Sequence, residues 1–282
     1  MGDSCFVFSR SSEMKNVPEE PVSASRIVYL MYHELELSGR RLCQSDPGYV
    51  RYILPIEQFR GQVAWLKKSG WKGLNVGEAL RYPAGQNVCI TFDDGCETDL
   101  IAAAPVLSQF DFSATLYLTA GFLGTPGYLN NAQVRELDAQ GFEIGCHSMT
   151  HPYLCDLPDP ELKREIVDAK LQIENVVGHS IGHFSCPGGR YDQRTIQMAK
   201  DAGFVSVANS RFYANSVRTS SYELGRVAML RGSTIEEFSD TCFGRGLWKK
   251  RLRNHARRGM QSMLGNRAYD HLRAVFLGGQ QQ

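Results

Sequence analysis

A regular alternation of short apolar runs with stretches of helical periodicity restricts the fold more than any other feature of the chain. Ile27-Val28-Tyr29-Leu30-Met31-Tyr32 reads as a buried strand. A long loop with Gly39, Pro47 and Gly48 follows, and Pro55 then opens a helical pattern of Ile56, Phe59, Val63 and Leu66 that Gly70 closes. The pattern repeats as a strand at Val88 to Phe92, a helix over 97 to 109 and a strand at Ser113 to Leu118. It continues with a helix over 131 to 139, a strand at Phe142 to Gly145, a helix over 160 to 177 and a strand at His183 to Cys186. A helix over 193 to 202, ended by Gly203, leads to a strand at Phe204 to Val207. A last strand near Glu223 to Leu230 precedes a helix that Ser233 or Thr234 caps, with Glu236 and Glu237 in its first turn. Strands separated by helices imply βαβ units and a parallel sheet. Seven or so such units favour an α/β barrel over an open sheet, although periodicity alone leaves closure open.

Composition removes several other classes. With 43% hydrophobic and 22% charged residues in 282, the chain is neither disordered nor fibrous. Its eight cysteines form no CxxC pair, which argues against a zinc ribbon or a disulfide scaffold and fits a reducing compartment. Met1 to Pro21 carries Asp3, Glu13, Glu19 and Glu20 and lacks a secretory apolar segment. No apolar run approaches the roughly 18 residues that span a bilayer, so a cytoplasmic protein is expected. The net charge of +1 is unevenly spread: residues 245 to 273 hold nine Lys or Arg and one acid, Asp270. We therefore expect an irregular segment over 1–25, a catalytic body over 26–244 and a basic helical tail over 245–282. The tail places Trp248, Leu252 and His255 on one face, suited to docking on the acidic body or to peripheral contact with an anionic membrane or a charged glycan. Nothing in it matches a nucleic-acid-binding motif.

Two short segments carry chemistry. Thr91-Phe92-Asp93-Asp94-Gly95 sets two carboxylates at the carboxyl end of a buried strand, the rim on which parallel α/β folds build sites. Adjacent carboxylates repel, so the pair makes sense with one bound to a cation and the other kept as a base. The bland alternative is that one of them caps the helix expected to begin near Glu97. His147-Ser148-Met149-Thr150-His151 follows the next strand but one, and two imidazoles four residues apart on a helical turn can face one ion. One Asp with two His leaves coordination positions open, as in catalytic rather than structural metal centres.

These segments, with Phe184-Ser185-Cys186-Pro187-Gly188-Gly189-Arg190-Tyr191-Asp192, resemble the first three motifs of the polysaccharide deacetylases, the NodB-homology or carbohydrate esterase family 4 group. The resemblance covers roughly residues 27 to 240. It implies a distorted (β/α)7 barrel and hydrolysis of N-acetyl groups on a carbohydrate. Asp93 is then the general base, and Asp94, His147 and His151 hold one divalent ion, zinc first, with cobalt, nickel or iron also acceptable to such donors. Pro187 and Gly188 wall the groove, the Gly188 N–H assisting the oxyanion. Two departures stand out. The family usually has an aromatic at the position of Gly188 and often an arginine at that of Ser185, for which Arg190 or Arg226 is a candidate substitute.

The late Leu-x-His motif is missing, since Leu224-Gly225-Arg226 stands there. Leu30-Met31-Tyr32-His33 instead resembles the Tyr-His segment of a circularly permuted subgroup similar to the poly-N-acetylglucosamine deacetylases, which makes His33 the general acid. Its alternative role is a hydrogen bond at a strand end. Two competing functions stay open: hydrolysis of another linear or cyclic amide, and sugar binding without catalysis.

Overall fold

The computed structural model describes residues 26–82 and 85–248. The segment 1–25 and the basic tail beyond Trp248 lie outside the described residues. Among the described residues, no helix is long and apolar enough to cross a membrane.

Most of the nine-stranded sheet forms a ring of parallel strands. In chain order these are β1 (Arg26–Tyr32), β2 (Asn87–Asp94), β3 (Thr115–Leu118), β4 (Glu143–Cys146), β5 (His183–Ser185), β6 (Ser206–Ala208) and β7 (Arg226–Ala228). β1 pairs with β2 on one side and β7 on the other. Pairing then runs β2 to β3, β4, β5 and β6. A bridge from Ala208 to Leu224, just ahead of β7, nearly closes the ring. The first strand therefore sits between the Asp-Asp strand and the last one, as the permuted arrangement requires.

Strand alternation divides the interior in two. Val28, Leu30 and Tyr32 of β1 face outward with Val88, Ile90 and Phe92 of β2. They pack under α1 (Ile56–Lys68), whose Phe59, Val63 and Leu66 are fully buried at helical spacing. The Tyr32 and Phe92 rings stack at 5.2 Å. Each such side chain contributes roughly 1.5–3 kcal/mol by leaving water. Ile27, Tyr29, Cys89 and Tyr117 face inward and meet Val76 and Ala79 of α2 (Val76–Arg81). Glu143 accepts the Val76 and Gly77 amides, fixing α2 across the amino end of the barrel. His183 contacts this same Glu143 at 3.2 Å and Ser206 Oγ at 2.8 Å, a structural placement far from the rim.

One expected helix changes form. It runs from Thr98 to Ser108, entered where Glu97 N donates to the Gly127 carbonyl at 2.8 Å and Cys96 bridges Tyr128. A wide π turn at Asp99–Ala103 comes first and α3 (Ala104–Ser108) follows. Neither Asp93 nor Asp94 caps it, since the Asp93 oxygens accept from Arg226 and Asp94 Oδ2 accepts from Tyr49. Farther on, α4 (Asn131–Ala139), α7 (Gln193–Asp201) and α8 (Ile235–Cys242) keep close to their expected bounds. Between them, the expected long helix runs unbroken over 159–177, as α5 (Asp159–Lys163) and α6 (Ala169–Val177) joined by a π turn at Arg164–Asp168. Asp192 caps α7 and Thr234 caps α8, each in a reciprocal capping box.

Candidate active site

The inward face of β2 runs Cys89, Thr91, Asp93, which sends the Asp93 carboxylate into the barrel mouth. Simple alternation would turn Asp94 outward. Instead its φ of 79° breaks the strand and re-aims the side chain, and Gly95 at φ 78° carries the chain away.

Asp93 makes a two-pronged pair with Arg226, Nη1 to Oδ1 at 2.7 Å and Nη2 to Oδ2 at 2.8 Å. Arg226 also donates to Thr91 Oγ1 at 3.1 Å, to Ser185 Oγ at 2.6 Å and, through Nε, to the Asn209 carbonyl at 3.3 Å. It is fully buried, with its guanidinium 5.2 Å from the Tyr117 ring centre. Burial would raise the Asp93 carboxyl, but the Arg226 guanidinium, with His147 behind it, holds it well below the usual carboxylate range. Of the two candidate substitutes for an arginine at position 185, Arg226 is therefore the one that meets Asp93, and the Ser185 hydroxyl accepts from it.

The two histidines lie on a loop rather than on the expected helical turn. Among the described residues, the non-glycine positions with left-handed backbone are Asp94, Asp111, Ser148 and His151, three of them at this site. Such conformations cost of order 1–3 kcal/mol each and persist only where surroundings enforce them. Here Glu165, on the π turn, accepts the Met149 and Thr150 amides at 2.9 and 2.8 Å and the Thr150 hydroxyl at 2.7 Å. Ser148 Oγ accepts the His151 amide at 3.0 Å.

His147 Nδ1 faces the Ser185 carbonyl at 2.8 Å. A carbonyl only accepts, so Nδ1 carries the hydrogen and Nε2 keeps its lone pair for the site. Burial lowers the His147 pKa to about 4, leaving a neutral imidazole despite Asp93 nearby. Its Nε2 lies 3.7 Å from Asp94 Oδ1, and His151 Nε2 lies 3.5 Å from the same oxygen. One donor atom from each of the three residues falls within 4.8 Å of the others. Asp94 Oδ2 accepts the Tyr49 hydroxyl at 2.8 Å, whereas the buried Oδ1 has no hydrogen-bond partner among the described residues. Two imidazole nitrogens converging on an unpartnered carboxylate oxygen fit a divalent cation well.

His33 follows β1 directly, beside the end of β2, because Tyr32 pairs with Phe92. Its ring packs on Tyr52 at 5.2 Å and edge-on to Tyr49 at 6.0 Å. No hydrogen bond holds its buried Nδ1 among the described residues. Loss of solvation lowers its pKa, against the opposing pull of Asp94 and Asp93.

In the third motif Pro187 is buried and Gly188 exposed on the rim with φ 61°. A Cβ at Gly188 would sit 2.9 Å from Tyr153 Cε1, so Tyr153, two residues after His151, takes the space of the aromatic expected at position 188. Both Asp93 oxygens accept from Arg226, and no such contact carries the Arg190 candidacy. The Arg190 guanidinium instead covers the Tyr153 ring at 3.6 Å. Tyr49, Tyr153 and Glu165 escaped sequence reading, since each acts through a contact with another loop, and the helical period that contains Glu165 says nothing of that contact.

Residues 81–207 match the family model described as polysaccharide deacetylase. The Bacillus subtilis protein YxkH is 27% identical over 220 residues, 76% of this chain and 75% of YxkH. A peptidoglycan-N-acetylglucosamine deacetylase of Bacillus cereus is 31% identical over 121 residues, 43% of this chain and 54% of that protein. In structure, the Streptococcus pyogenes deacetylase PplD, solved with acetate, superposes with a TM-score of 0.68 at 23% identity, over 79% of this chain and 99% of that one. IcaB from Ammonifex degensii gives a TM-score of 0.64 at 21% identity, over 79% and 98%. Both have the same barrel.

Proposed function

This chain belongs to the polysaccharide deacetylase family through residues 81–207, and from that premise we propose that it hydrolyses the N-acetyl group of a carbohydrate, releasing acetate and leaving a free amine. The observation that carries this reading is the convergence of His147, His151 and the unpartnered Asp94 Oδ1, with a second, fully ionised carboxylate beside them.

Asp94, His147 and His151 would hold the divalent ion, zinc by preference among ions that accept nitrogen and oxygen donors. Such an ion supplies an electrophile for the acetyl oxygen and makes water acidic enough to attack near neutral pH. Asp93 acts as general base and takes the proton of the attacking water. Arg226 fixes both Asp93 oxygens, so the base meets the water in one orientation. His33 starts neutral, and the negative field of Asp94 and Asp93 favours its taking up that proton and passing it to the amine nitrogen as the C–N bond breaks. The Gly188 N–H, on the rim, donates to the acetyl oxygen, and the Tyr153 ring under Arg190 walls the groove against the sugar. Because Arg226 occupies the place left open at Ser185, the altered third motif gives little support to a sugar-binding protein without catalysis.

The test is an acetate-release screen over N-acetylglucosamine oligomers and peptidoglycan fragments. We expect turnover that stops on chelation and returns with added zinc or cobalt. Acetate release that survives exhaustive chelation would refute the ion's role, and release from none of these sugars would favour another amide as substrate. His33→Ala should lower kcat by about 10²-fold with KM little changed, the usual scale for a lost general acid. An unaltered kcat would return His33 to a structural role.

A further inference from the structure

A second group of donors lies behind the rim. Glu34, Cys43 and Cys96 each bring one ligand atom within 4.8 Å of the other two. Glu34 and Cys96 are buried, and Cys43 is partly so. We propose that these three residues form a second divalent-metal site, of zinc-binding chemistry, separate from the Asp94 cluster and tying the loop over 37–46 to the end of β2.

The donor set selects the ion. Two thiols and a carboxylate are poor ligands for calcium or magnesium, which want oxygen alone, and suit zinc, which accepts sulfur and oxygen in a tetrahedron. A buried acid lies next to the cluster. Asp99 follows closely on Cys96, its amide donating to the Cys96 carbonyl at 2.9 Å. It is 1% exposed, and neither carboxylate oxygen has a hydrogen-bond partner among the described residues. An unpaired buried carboxyl is costly. The neighbouring guanidinium, Arg40, is engaged with Glu97 at 2.7 Å and with the Gly127 carbonyl at 3.4 Å. Because a divalent cation would replace two thiol protons, its loading adds no net charge to this acidic pocket.

The segments are already stitched for such a site. Both Glu34 oxygens accept the Cys43 amide, at 3.0 and 3.1 Å, and Leu35 N donates to Thr98 Oγ1 at 3.2 Å. Cys43 Sγ donates to the Gly127 carbonyl at 3.2 Å, which presents its sulfur beside Cys96. The thiolate is the binding form, so loading displaces the thiol protons. The chain from Cys43 runs on to Tyr49, whose hydroxyl meets Asp94. The bound ion would therefore brace a loop that orients a ligand of the first site.

The experiment uses the full chain, reduced and stripped of metal without air, then loaded with zinc alone or cobalt(II) alone and freed of excess. We expect two zinc ions per chain, and a sulfur-to-cobalt charge-transfer absorption that an Asp-His-His site cannot give. Cys43→Ser with Cys96→Ser should halve the zinc content and remove that absorption, while Asp94→Asn keeps it. A wild-type chain that holds one zinc and shows no sulfur-to-cobalt absorption would overturn the proposal, and that arm needs no variant to fold. Absorption persisting in the double-serine variant, or a Cys43–Cys96 disulfide in the reduced, stripped protein, would overturn it as well.

Discussion

Asp93→Asn should reduce acetate release by at least about 10²-fold, and up to about 10⁴-fold, while the protein still binds one divalent ion through Asp94, His147 and His151. An amide cannot take a proton from water, so the general base is lost, and that range is the usual worth of general-base catalysis. The change also withdraws the negative partner of Arg226, which is fully buried. Breaking a buried pair from one side typically costs about 3–5 kcal/mol. Rates should therefore be normalised to folded protein, followed by circular dichroism and metal content. Turnover within a few-fold of wild type, in folded and metal-loaded protein, would remove Asp93 from the role of base.

Arg226→Met should have the larger effect on stability. Methionine matches much of the side-chain length but leaves the Asp93 carboxylate buried without its two-pronged partner, and Ser185 and Thr91 without their donor. A loss of about 3–5 kcal/mol is expected. For a domain of this size that corresponds to a fall in Tm on the order of 10 °C. Arg226→Lys separates charge from geometry. A lysine restores the cation but cannot bridge both Asp93 oxygens in one plane, so stability should return further than kcat. A Tm for Arg226→Met within about 2 °C of wild type would mean that the pair contributes little and that the base is oriented by something else.

The fold was readable from sequence wherever one interaction type governed a stretch. In β2, the apolar run from Val88 to Phe92 marks the strand and puts Asp93 and Asp94 at its carboxyl end. The capping boxes at Asp192 and Thr234 are local in the same sense. Legibility failed where the chain serves a distant neighbour. Cys96 and Glu97, at the expected helix start, are drawn into pairing with the loop at 127–128. The His147 to His151 segment has helical spacing, but Glu165 holds its amides in a left-handed loop. Arg226 could be no more than one of two candidates, because 133 residues separate it from Asp93 and only ring closure brings them together. Tyr49 gave no signal at all, since a tyrosine in a polar loop has no period or motif to mark it.

Ring closure also orders events during synthesis. The proposed metal-binding acid and imidazoles lie between residues 94 and 151, at or just beyond the ends of strands that pair in succession, whereas the guanidinium that holds Asp93 arrives only with residue 226. A ribosome-bound chain that has emerged only as far as β6 thus has every proposed ligand of the cation but no partner for Asp93, and β1 still lacks its last partner. Cation capture can precede activity, and hydrolytic competence waits for the final strand to be threaded beside the first.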